Sequence, residues 1–124
     1  MDAIIRVDEN PKDAQAQAAL AFVYYRYHDD YDHAYEEIQK ALKLNPDLFS
    51  VQETYGYILE GMRLCKEAID AYQKAIQISP EKRATLEDNI EYCQHLLDWA
   101  GTATNIYSRL FYYNYTRRSY NEFY

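Results

Sequence analysis

Apolar residues in the middle of this chain recur three or four positions apart, the spacing that lines one side of an α-helix. Between residues 31 and 44 that side carries Ala34, Ile38, Ala41 and Leu42; between residues 65 and 78 it carries Ala68, Tyr72, Ala75 and Ile76. The second set repeats the first at one constant offset, Ala68 answering Ala34, and Gln39-Lys40-Ala41 returns unchanged as Gln73-Lys74-Ala75. A period of this length marks stacked supersecondary units, each hiding an apolar face that it could not bury alone. The alanines at fixed positions let two helix backbones approach closely, so the pattern predicts antiparallel helix pairs and an all-α fold.

Three Asn-Pro or Ser-Pro steps punctuate the units: Asn10-Pro11, Asn45-Pro46 and Ser79-Pro80. Asn and Ser cap the free amides of a first helical turn, and proline is tolerated just inside, where its missing N–H costs nothing. Helix starts are therefore expected at these steps, with Asp13, Asp47 and Glu81 placed in the first turns where the helix dipole favours negative charge.

These residues together resemble the tetratricopeptide repeat family. Its pattern of a small residue and a tyrosine in one helix, then alanine, an aromatic, alanine and proline, is similar to Tyr55-Gly56, Leu59, Ala68, Tyr72, Ala75 and Pro80. Tyr25, Ala34, Ile38, Ala41 and Pro46 match it one unit earlier. The departures are Phe22 at the small position held by Gly56, Gln52 where a large aromatic is usual, and a turn at His28-Asp29-Asp30 without glycine. Phe22 predicts a first pair that packs further apart or borrows room from Ala18 and Ala19.

The resemblance implies a right-handed α-α superhelix of helix hairpins with a C-terminal closing helix. One domain of residues 1–124 divides into a partial helix (1–10), a first repeat (11–45), a second repeat (46–79), a closing helix or degenerate third repeat (80–100) and a Tyr-rich tail (101–124). Ala3-Ile4-Ile5-Arg6-Val7 reads as the end of a second helix. In residues 81–100 the stripe Leu86, Ile90, Cys93 and Leu97 persists, but Thr102, Arg109 and Asn114 replace the next two alanines and the proline.

In the family the first helix of each unit lines a groove. Carried onto this chain, the groove positions include Val23, Arg26 and Tyr27, then Ser50, Glu53, Tyr57 and Glu60, with Glu87 and Glu91 added by the closing helix. The Lys and Asn clamp with which some members hold a C-terminal carboxylate is missing, since Ala19, Val23, Thr54, Ala84 and Asp88 stand at its positions. An aromatic and acidic groove suits a segment carrying Lys or Arg between apolar anchors, the rings offering flat faces to methylenes and cations. Charged residues on a helix face are also, ordinarily, its solvated side.

Charge sharpens this picture. The chain carries a formal −7; residues 1–100 hold 10 Lys and Arg against 19 Asp and Glu, and residues 101–124 hold three Arg against Glu122. An acidic body argues against nucleic acid, whose phosphates demand clustered Lys and Arg. No run of about 18 apolar residues is present, so no membrane partner is expected. The N-terminus shows no charged-then-apolar signal segment, and a cytoplasmic location is the expectation.

The tail follows another rule, with eight aromatics in residues 107–124. It is expected to pack on the last repeat, to meet its own copy in a homodimer, or to lie in the acidic groove with Arg117-Arg118 against the glutamates. The self-association candidates are Ile106, Tyr107, Leu110, Phe111 and Tyr113.

Candidate chemistry is sparse. Cys65 and Cys93 are distant in sequence and read as buried thiols, although antiparallel helices could bring them together. His28, Asp29, Asp30, Asp32 and His33 offer metal-ligand types, but they fall in a hairpin turn where short polar residues are expected anyway. No phosphate loop or nucleophile motif occurs. The sequence thus reads as a non-enzymatic protein-interaction module, an adaptor or small chaperone without cofactor or metal, or else as a structural module that self-assembles through its aromatic end.

Overall fold

The computed structural model describes the backbone of residues 12–110 and the side chains of residues 12–100. Among the described residues five α-helices follow one another: α1 (Ala14–Tyr27), α2 (Tyr31–Leu44), α3 (Phe49–Gly61), α4 (Cys65–Ile78) and α5 (Arg83–Leu110), the last preceded by a 3-10 turn, Pro80–Lys82. No strand occurs among the described residues, and the fold is all-α. Ala3 to Val7 and the step Asn10-Pro11 lie outside the described residues.

Short turns join α1 to α2 and α3 to α4, so each pair runs antiparallel, and each packs along its length. Helix α3 also packs on both helices of the first pair. The repeated pattern is what goes inside: Ala34, Ile38 and Ala41, like Ala68, Tyr72 and Ala75, are wholly buried. Alanines cover the helix contact without holding the backbones apart, while burial of Ile38, Ile58 and Leu59 supplies about 1.5–3 kcal/mol each.

Phe22 does not loosen the first pair, which packs as extensively as the second. Where the second pair has Gly56 and Tyr72, the first has Phe22 and Ile38, so bulk is moved from one helix to the other. Phe22 is half buried and turns its ring toward Tyr25 and Tyr57, with centroids 5.9 and 6.3 Å away.

The helix starts differ from the sequence expectation. Asp13 is itself the cap of α1, its Oδ1 accepting from the amides of Gln15 and Ala16. Asn45 closes the end of α2, and its side chain accepts from the Asp47 amide in a local turn; α3 begins only at Phe49. An Asn side chain engaged with the amide two positions on is a turn former rather than a helix cap. Gln52 reaches back across this step, Nε2 donating to the Pro46 carbonyl at 2.8 Å, which explains an amide in place of an aromatic. Ser79-Pro80 likewise opens the 3-10 turn, not α5 itself.

Asp29 and Arg63, at the same phase of the two hairpin turns, both adopt left-handed backbone, with φ of 48° and 64°. The turn geometry thus recurs from the first unit to the second even though neither position is glycine.

Helix α5 crosses residue 100. It runs through Gly101 without a break, since a single interior glycine costs only about 1 kcal/mol. It packs along α4 and the 3-10 turn, and far less along α3.

Candidate functional site

Aromatic rings from α1, α2, α3 and α4 form one connected group. Tyr25 stacks on Tyr57 with centroids 6.0 Å apart and planes 13° from parallel; Tyr57 meets Tyr72 edge-on at 5.9 Å, and Tyr25 touches Tyr31 at 6.0 Å. Helix α3 makes room for this with its two glycines. Gly56 lies under the Tyr72 ring and Gly61 under the Tyr31 ring, each too close to admit a Cβ.

Two carboxylates of α3 run beside the rings. Tyr57 Oη donates to Glu53 Oε2 at 3.1 Å, an i, i+4 pair on one helix face. Tyr72 Oη donates to Glu60 Oε1 at 2.7 Å, and the same oxygen accepts from Asn89 Nδ2 at 3.2 Å and Cys93 Sγ at 3.8 Å. Glu60 therefore ties α3 to α4 and α5 through a single atom. The second oxygen of each carboxylate has no hydrogen-bond partner among the described residues.

Burial governs the protonation states. It pushes the Tyr57 and Tyr72 phenols well above their ordinary value, with the adjacent glutamates adding to the effect, so both remain donors at any physiological pH. The Tyr25 phenol is raised by burial and then by Glu60. Half-burial raises the Glu53 carboxyl, against the opposing pull of the Tyr57 hydrogen bond and Lys82. Cys93 is pushed up to about 12 by burial, Glu60 and Cys65. It is a thiol at neutral pH, a weak nucleophile. Both cysteines are free and buried in the same core cluster.

The residues expected to line one groove separate into two sets. Glu53, Tyr57 and Glu60 come together with Tyr25, and Ser50 lies half buried at the start of α3. Val23 is half buried, while Arg26 and Tyr27 are exposed at the end of α1. Glu87 and Glu91 do not join them. They line an open groove of about 630 Å³ between α4 and α5, with Gln73, Gln77, Ile90 and Asp98. The reason is the docking of α5 along α4: its face toward α3 carries Asn89 and Cys93, and Glu87 and Glu91 fall on the other flank. Asn89, Tyr25 and Phe22 join the site without having been singled out for it by the sequence; the i, i+4 step from Asn89 to Cys93 is the available signal.

In the turn between α1 and α2, Asp30 caps α2 by accepting from the His33 amide, and its second oxygen pairs with His33 Nδ1. The His33 ring stacks on Tyr24 at 5.3 Å. Among the described residues no three His, Cys, Asp or Glu side chains converge as a metal site would require.

Of the self-association candidates, Ile106, Tyr107 and Leu110 fall on the backbone of α5, their side chains outside the description, and Phe111 and Tyr113 lie outside the described residues altogether. No family model matches the chain, and neither does any curated protein.

Proposed function

We propose that the two hairpins are tetratricopeptide-like units of a right-handed superhelix. The side bearing Tyr25, Glu53, Tyr57 and Glu60 holds an extended or helical segment of a partner protein, one with Lys or Arg set between apolar residues. The module acts without chemistry of its own, as an adaptor or small chaperone. The observation that carries this reading is the pairing of stacked rings with half-buried carboxylates: Tyr25 on Tyr57, and Tyr57 on Glu53. Aromatic faces accept the methylenes of a long basic side chain while a carboxylate takes its charge. The equal burial of Ala34, Ile38 and Ala41 and of Ala68, Tyr72 and Ala75, with the matching left-handed turns at Asp29 and Arg63, supports the repeat.

Selection from a random peptide library on the immobilised chain tests it. Recovered peptides should be rich in Lys and Arg between apolar residues and should bind more weakly as salt rises. Glu53→Lys should weaken them about tenfold or more, equivalent to about 1.4 kcal/mol. Peptides without cations, or equal binding to the folded Glu53→Lys chain, would refute the reading.

A further inference from the structure

The open groove between α4 and α5 carries, one period later, the positions on which α4 itself lies. Helix α3 begins at Phe49 and α5 at Arg83, 34 residues on, so equal steps along the two helices bring up corresponding side chains. On α3, Gly56 lies under the Tyr72 ring of α4 and Glu60 accepts its hydroxyl. The corresponding residues of α5 are Ile90 and Gln94, an i, i+4 pair on one helix face, and both line the groove. Helix α5 therefore presents there the side with which α3 holds its hairpin partner.

No third hairpin covers that side among the described residues. The turns after α1 and α3 each pass through a left-handed residue, Asp29 and Arg63, and the next position of the series is Leu97. Leucine is a strong helix former, and Leu97 is packed against the core cluster that holds Tyr72 and Cys93. Helix α5 accordingly runs straight on to Leu110. Ile90 stays half buried on one wall, opposite Ile76 of α4.

We propose that this groove binds an amphipathic helix of another protein, laid antiparallel to α5 as α4 is to α3. Two features of the groove define that helix. Ile90 fills the space that Gly56 leaves for a tyrosine ring, so the central anchor is aliphatic, as Ile38 is opposite Phe22 in the first hairpin; small residues flank it four positions before and three after, as Ala68 and Ala75 flank Tyr72. The walls then set the charge. Glu87, Glu91 and Asp98 stand against Arg83 alone, with His95 3.6 Å from Glu91, so Lys or Arg belongs beside the apolar stripe.

The chain's own continuation fits poorly, whether from the same molecule or from a second copy. Where α2 and α4 have the alanines that let two backbones close up, it has Thr102 and Arg109. The groove depends on the register of α3 and α5 and not on the side bearing Tyr25 and Glu53, so either site can fail alone.

A library of hydrocarbon-stapled helices of about 14 residues, the length of α4, is randomised along one face and selected on the immobilised full chain. Helices that shift the amide resonances of Gln73, Gln77, Ile90 and Glu91 should be recovered, and they should carry an aliphatic residue between two small ones with Lys or Arg alongside. Glu87→Lys combined with Glu91→Lys, both at exposed positions, should keep the helical circular dichroism and weaken these helices about tenfold or more. Glu53→Lys should leave their affinity unchanged. Recovery of no helix at these amides, helices there without cations, or binding that survives the double substitution would overturn the proposal. So would a gain in affinity on Arg117→Glu with Arg118→Glu, which would assign the groove to the chain's own end, and an affinity that falls as the chain is concentrated, which would assign it to a second copy.

Discussion

Gly56 sits so closely beneath Tyr72 that a Cβ on it would meet the ring carbons Cε1 and Cδ1 well inside van der Waals contact. The ring has no easy retreat, because it is wholly buried and its hydroxyl is held by Glu60. Gly56→Ala gains about 1 kcal/mol in helix propensity, but overpacking typically costs about 1–3 kcal/mol. The expected result in urea unfolding is a net loss of up to about 2 kcal/mol. Adding Tyr72→Ile, which copies the residue at the equivalent place in the first hairpin, should recover part of the Gly56→Ala deficit relative to Tyr72→Ile alone.

Arg63 holds its left-handed φ of 64° at the cost of a steric strain that glycine does not have. Arg63→Gly should raise stability by up to about 1 kcal/mol, measured as a higher urea midpoint. Asp29→Gly should gain less, since Asp tolerates this region better. A loss at both positions would show that the side chains do more than occupy the turn.

His33 titrates above its ordinary 6.5, chiefly because its ring hydrogen-bonds Asp30, and Asp30 titrates below its ordinary 3.8, chiefly because it accepts from the His33 amide and then from the ring. The raised histidine contributes stability below its unfolded pKa and loses it as pH rises through the folded one. The lowered aspartate contributes above its unfolded pKa and loses it as pH falls through its folded value. The pair is therefore strongest between about pH 4 and 6.5. Asp30→Asn keeps a helix cap but removes the charge, so an NMR titration should show the His33 midpoint moving down toward 6.5.

Glu53 presents the opposite sign. Its carboxyl is raised above the ordinary 4.5 by burial, so the ionised form disfavours the fold at neutral pH and the penalty fades as pH falls through the folded pKa. Glu53→Gln can still accept from Tyr57, and it should be modestly more heat-stable than the parent at neutral pH. That difference should shrink on acidification toward the ordinary carboxyl range, and a difference that grows instead would count against half-burial as the cause.

Periodicity makes the hairpins legible, because it reports which side of each helix is covered. Ala34, Ile38 and Ala41 are buried together for that reason, as are Ala68, Tyr72 and Ala75 one unit later. It also brings Glu53, Tyr57 and Glu60 to one side, since positions one and two helical turns apart share a helix face whatever the tertiary arrangement. What periodicity does not encode is how one helix lies on another. Assigning Glu87 and Glu91 to the same groove assumes that the third first-position helix lies beside α3, whereas α5 follows α4. The convergence of Asn89 and Cys93 on Glu60, across a long stretch of chain, depends on that same docking. Helix α3 starts later than the Asn45-Pro46 step suggests, because an Asn before Pro serves equally as a cap or as a local turn.

Helices here lean on those one or two places away in the chain, and among the described residues no extended packing joins α1 to α5. Such a molecule has no keystone. Fraying of α1 removes support from α2 and α3 and fraying of α5 from α4, so amide exchange should be slowest around α3, which is braced from both sides, and should quicken outward.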